Sequence, residues 1–114
     1  MRPSLLLLLF VFLFLSILPP LPAAPDQRLL VISTPSLNDD AYRTQAALLL
    51  PALAGLNERD FVVQIQFGTK SFSVVLIGKD GGEKLRRAIP LSPEELFAVV
   101  DAMPMRRAEM RERK

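Results

Sequence analysis

Residues 74–107 read VVLIGKDGGEKLRRAIPLSPEELFAVVDAMPMRR, and their pattern decides the fold class. The run from Phe72 to Gly78 is nearly all apolar and β-branched, which predicts a central strand buried on both faces. The KDGG that ends it supplies residues tolerant of positive φ at a hairpin tip. Glu83 to Ile89 return as the next strand, whose outward side chains, including Lys84 and Arg86, make a sheet edge guarded by charge. Pro90 stops it. Ser92, Pro93, Glu94 and Glu95 then write a helix start: Ser92 caps, Pro93 takes the first helical position, and Glu95 is placed to reach back to the cap amide. Leu96, Val100 and Met103 line one face of this helix with Phe97 beside them, and Pro104 interrupts it.

Working back toward the N-terminus, FVVQIQF at residues 61–67 alternates Phe61, Val63, Ile65 and Phe67 with Val62, Gln64 and Gln66. That is a strand with one face toward a core and the other partly wet. Before it, Tyr42, Ala46, Leu49, Leu53 and Leu56 recur at helical spacing and predict one face of a helix packed on the sheet. Ser36 or Asn38 is the expected cap, with Asp39 and Asp40 in the first turn opposing the positive end of the helix dipole. Pro51 lies inside this pattern and predicts a kink or two helical pieces. Gly55 and Asn57 are the expected terminators. Arg28 to Ser33, carrying LLVI, is the expected first strand. The elements therefore run strand, helix, strand, hairpin, helix, an α/β domain with a sheet of about four strands and flanking helices.

The 114 residues include neither cysteine nor histidine. Residues 1–23 show one basic residue, Arg2, an apolar run from Leu5 to Leu18, and a Pro-rich stretch ending in small residues, the pattern of a secretory signal peptide. Pro19 and Pro20 stop the apolar run short of the roughly 20 residues needed to span a bilayer, so membrane contact is expected only through an uncleaved signal. Cleavage after Ala23 leaves a domain over residues 24–105 and a charged tail over 106–114, in a secreted or periplasmic product. Without Arg2, thirteen basic residues face twelve acidic ones, so a nucleic-acid partner is not expected. The tail, with Arg106, Arg107, Arg111, Arg113 and Lys114 against Glu109 and Glu112, is expected to be solvated.

VVLIGKDGG, KLR, ELFAVVDAMPMRR and the earlier NERD resemble a bacterial family of exported, thioredoxin-like proteins, domain-of-unknown-function family 4174. The resemblance covers nearly the whole mature chain, and DAMPMRR is its most specific part. The same domain type is similar to peroxiredoxin-like modules of secreted, matrix-associated animal proteins, which implies adhesion or scaffolding more than catalysis. The resemblance also implies a thioredoxin-like topology, from which this chain departs as a shortened member. Thioredoxin-like folds carry a crossover helix between strands two and three, whereas only four residues separate Phe67 from Phe72. Either strand two pairs with strand three as a hairpin, or the sheet is incompletely formed.

The positions matching the redox thiol of such folds are Ser33 to Ser36. A serine hydroxyl gains little from a helix dipole and needs a neighbouring base. Ser33, Thr34 and Ser36 are therefore candidate binding residues, with no catalytic residue expected. Lys79, Asp80 and Lys84 are the candidate polar handles of the hairpin tip. No metal site and no cofactor is expected, since the acidic pairs Asp39–Asp40 and Glu94–Glu95 have ordinary places at helix starts. The chain reads as an exported, non-catalytic binding or interaction module for an unknown protein or envelope component. The alternative is a non-redox envelope enzyme or stress-response factor using the Ser33 to Ser36 loop.

Overall fold

The computed structural model describes residues 26–113; the expected signal peptide and its cleavage point lie outside them. Four strands, β1 (Arg28–Thr34), β2 (Phe61–Phe67), β3 (Ser73–Ile77) and β4 (Glu83–Arg87), form one mixed sheet in the order β2-β1-β3-β4. Between β1 and β2 run helix α1 (Asp40–Leu49), a 3-10 turn (Leu50–Ala52) and helix α2 (Leu53–Glu58); helices α3 (Pro93–Asp101) and α4 (Pro104–Glu112) follow β4. This α/β arrangement of a four-stranded mixed sheet with flanking helices is consistent with a small thioredoxin-like fold.

β1 pairs with β2 in parallel and with β3 antiparallel. Strand two therefore does not pair with strand three, and the sheet is nonetheless complete. The chain passes from one side of β1 to the other through residues 68–72, a step of two strand spacings, about 10 Å, within reach of five residues. The Thr34 carbonyl anchors the step, accepting hydrogen bonds from the amides of Gly68 at 2.9 Å and Thr69 at 3.4 Å. No crossover helix is needed because the crossing is made over the end of β1.

Pro51 divides the long helix as expected, with the 3-10 turn at the break. The helix start differs from expectation: Asp39 is the cap, its carboxylate accepting from the Tyr42 amide at 3.1 Å. The inward face differs as well. Gln45, Leu49 and Leu56 are buried, whereas Ala46 and Leu53 are exposed. The tighter 3-10 turn shifts the angular register, so a single 3.6-residue stripe does not run through both helices. Gly55 does not terminate anything; it lies within α2, where an added Cβ would come within 2.8 Å of the Phe97 ring. The chain turns at Asp60, which holds φ of 58°.

Ser92 caps α3 through the Glu95 amide at 3.2 Å. The Glu95 carboxylate does not reach back but meets Arg87 at 2.8 Å, tying the helix start to β4. The main core lies between the sheet and the helices, joining Leu30, Ile32, Val74 and Leu76 to Leu49, Leu56, Leu96 and Val100. On the opposite face a smaller cluster of Leu29, Val31 and Val75, with Val62 and Ile77 against it, is built from strands. Residues 106–112, expected as a solvated tail, continue α4, and Arg106 is buried.

Candidate functional site: a cleft beneath the hairpin

The candidate residues fall into two groups at opposite ends of β1. Leu29 is opposite Ile77 and Ser33 opposite Ser73, so the hairpin tip lies by the start of β1 and the hydroxyls by its end. At the far end the hydroxyls are engaged locally. Ser33 donates to Gln66 Oε1 at 3.2 Å, buried Thr34 donates to the Ser36 carbonyl at 3.0 Å, and Ser36 Oγ accepts from the Asn38 amide at 3.2 Å. Residues 35–38 form an exposed loop, and the nearest acid in sequence, Asp39, is spent on the cap.

Lys79, Asp80 and Lys84 converge. They line a cleft of about 260 Å³, closed on the other side by Arg28 and by Met103, Pro104 and Met105 at the corner between α3 and α4. The tip is shaped by its backbone: Gly81 holds φ of 84°, the Gly78 amide donates to the Gly82 carbonyl at 2.9 Å, and Asp80 accepts from the Gly82 amide at 2.9 Å. Asp80 also pairs with Lys84 at 2.7 Å across the turn. This hydrogen bond, first, and the bond from the Gly82 amide lower the Asp80 pKa.

The floor of the cleft is an ion network that sequence reasoning missed. Arg28, 1% exposed, forks onto Glu109 with both contacts at 3.2 Å and donates to the Arg59 carbonyl at 2.9 Å. Its Nε is buried without a partner. Lys79 reaches Glu109 at 2.7 Å and Asp60 at 2.9 Å. Burial pushes the Glu109 carboxyl up, but hydrogen bonds and charge from Arg28 and Lys79 outweigh it and bring it down to about 2. Lys79 shows the counterpart: burial lowers its pKa, and its bonds to Glu109 and Asp60 raise it by more.

Around this floor, Arg59 forks onto Asp101 at 2.9 Å, which lowers the Asp101 pKa, and lays its guanidinium 4.0 Å from the Phe97 ring centroid. Arg106 and Arg113 donate to the Glu58 carbonyl at 3.3 and 2.7 Å, placing cations at the negative end of α2. The basic C-terminus is thus a structural clamp. Its one sequence signal was the acid Glu109 set among arginines at helical spacing. Among the described residues there is no group of three or more His, Cys, Asp or Glu side chains able to hold a metal, and no helix long and apolar enough to cross a membrane.

Sheet and cleft together define a small α/β domain with a four-stranded mixed sheet and flanking helices. Residues 63–109 match the family model described as Domain of unknown function (DUF4174), the family expected from the sequence. The match takes in the hairpin, the Met103–Met105 corner and Glu109, and leaves out Ser33 to Ser36. The chain is also similar to the human Sushi repeat-containing protein SRPX, 31% identical over 113 residues covering 74% of this chain and 24% of that protein. Rat SRPX is 29% identical over the same shares, and human SRPX2 is 27% identical over 77% of this chain and 25% of its own. The chain therefore spans about a quarter of the length of these relatives. No solved structure matches.

Proposed function

We propose that this chain is an exported, non-catalytic interaction module that docks an acidic segment of a partner protein in the cleft beneath its hairpin. The observation that carries the reading is the convergence of Lys79, Asp80 and Lys84 on one cleft closed opposite by Arg28, Met103, Pro104 and Met105. Lys84, paired only with exposed Asp80, is the cation able to turn to an incoming carboxylate, and the flexible thioethers opposite suit an apolar side chain beside it. The network beneath fixes the wall before binding, so little ordering is spent at docking. The hydroxyls of the alternative reading are engaged elsewhere, Ser33 and buried Thr34 at the end of β1 and Ser36 on the exposed loop, each bonded to a main-chain group or to the Gln66 amide, which favours binding over turnover. Export rests on the signal-like residues 1–23.

Amide hydrogen exchange tests the proposal, comparing the purified protein alone with the protein in extract of its own cell envelope. The expected result is new protection at residues 78–84 and 103–105, abolished by Lys84→Glu. Protection confined to residues 33–38, or turnover of any substrate that survives purification to homogeneity, overturns it.

A further inference from the structure

The two edges of the sheet are made of opposite chemistry. β4 offers Glu83, Lys84, Arg86 and Arg87, a charged edge that resists pairing. β2 offers seven residues, FVVQIQF, without a charge, and Val63, Ile65 and Phe67 remain 37%, 41% and 37% exposed. A long, uncharged edge strand is a template for another strand unless its pairing is intended.

The hydrogen-bond phase of β2 shows which groups are open. The Arg28 amide donates to the Asp60 carbonyl and the Gly68 amide to the Thr34 carbonyl. In a parallel ladder alternate residues face the same neighbour, so residues 60, 62, 64, 66 and 68 turn their main chain toward β1. Phe61, Val63, Ile65 and Phe67 turn theirs to the open edge.

We infer that β2 pairs antiparallel with β2 of a second copy of this chain, about a two-fold axis at Gln64, to make one eight-stranded sheet. In that register Phe61 lies opposite Phe67 and Val63 opposite Ile65. Every outward-facing main-chain group meets its complement, and every exposed apolar side chain on the helix face meets another. Shifting the axis to Val63 or Ile65 leaves one of the two Phe residues unpaired. No charge faces a like charge anywhere along the ladder. The helix layers of both copies fall on the same side of the joined sheet. A contact made by one seven-residue strand from each copy falls at the low end of interface sizes, and a weak dimer is expected.

This surface is separate from the hairpin cleft, and the two proposals stand or fall independently. Sedimentation velocity of the purified chain across about 1–500 µM is expected to show a monomer passing to a dimer, with dissociation constants of order 10–100 µM. Ile65→Lys, at an exposed position, should hold the protein monomeric with unchanged circular dichroism. The register is read by cysteine substitution, which the cysteine-free chain makes unambiguous. Gln64→Cys opposes itself at about 4.5 Å between Cα atoms in a non-hydrogen-bonded pair and should oxidise to a covalent dimer. Val62→Cys, opposite Gln66, should not. A monomer at every concentration, a dimer that persists in Ile65→Lys, or equal cross-linking through positions 62 and 64 overturns the inference, as does pairing of β2 with an unrelated extended peptide by a protein that does not self-associate.

Discussion

Gln45 and Leu91 are joined by two hydrogen bonds 46 residues apart in sequence: the Gln45 side-chain amide donates to the Leu91 carbonyl at 2.9 Å, and the Leu91 amide donates to Gln45 Oε1 at 2.8 Å. The glutamine presents the same donor and acceptor pair that a neighbouring strand would. It thereby satisfies the backbone between β4 and α3 where the sheet has ended. Gln45→Leu keeps the volume but strands both groups out of water, and is expected to cost about 2–4 kcal/mol. Urea denaturation reads this directly, and a loss under about 0.5 kcal/mol would mean that water reaches Leu91.

Glu109 couples stability to acid. Its folded pKa of about 2 lies below the ordinary glutamate value of 4.5, so its contribution is full above about pH 4.5 and is lost as pH falls toward 2. With screening allowed for, that contribution is about 1–2 kcal/mol. Glu109→Gln should lower stability at pH 7 and flatten its decline between pH 5 and 2 relative to the native chain, on the order of one to two kcal/mol. Thermal unfolding across that range checks the sign as well as the size.

Two opposed effects meet at Gly55. Alanine would favour the helix by about 1 kcal/mol, but its Cβ would come to 2.7 Å from the Phe97 ring, which is held from its face by Arg59. Moving the ring breaks the stacking and disturbs the Arg59–Asp101 fork, so overpacking wins and Gly55→Ala is expected to destabilise by about 1–3 kcal/mol. A rise in melting temperature would show that Phe97 yields without cost.

The two lysines of the cleft should separate stability from binding. Lys79 is nearly buried between Glu109 and Asp60, and Lys79→Met takes a cation from both acids while leaving Arg28 on Glu109 and Arg113 near Asp60, with an expected loss of about 1–2 kcal/mol. Lys84 is tied only to exposed Asp80, so Lys84→Ala should move stability by less than about 0.5 kcal/mol while weakening partner docking. Paired denaturation and exchange measurements distinguish the two.

The strands, the hairpin and the start of α3 were legible because local pattern and capping chemistry specify them. What escaped depends on partners far apart in sequence. Arg28 and Glu109 meet across 81 residues, and an arginine-rich terminus reads as solvated until those partners are in place. Gln45 reads as surface because only the path of the chain at Leu91 gives it two bonds to make. The strand order escaped for a different reason: five residues suit a hairpin and a step across one strand equally well, and the Thr34 carbonyl decides between them. The hairpin residues of the candidate site were found because a tip must display its side chains, whereas the opposing Met103–Met105 wall follows from how α3 turns into α4.

The Arg28–Glu109 fork joins the first strand of the folded unit to its last helix. A unit whose chain arrives and departs at one place can be spliced into a longer polypeptide without forcing the flanking parts apart. The relatives carry the matching stretch as about a quarter of their length, and this closure suits the domain to travel as an insert. It also invites circular permutation: joining residue 113 to residue 26 through a short linker and opening the chain at the hairpin tip should preserve the sheet.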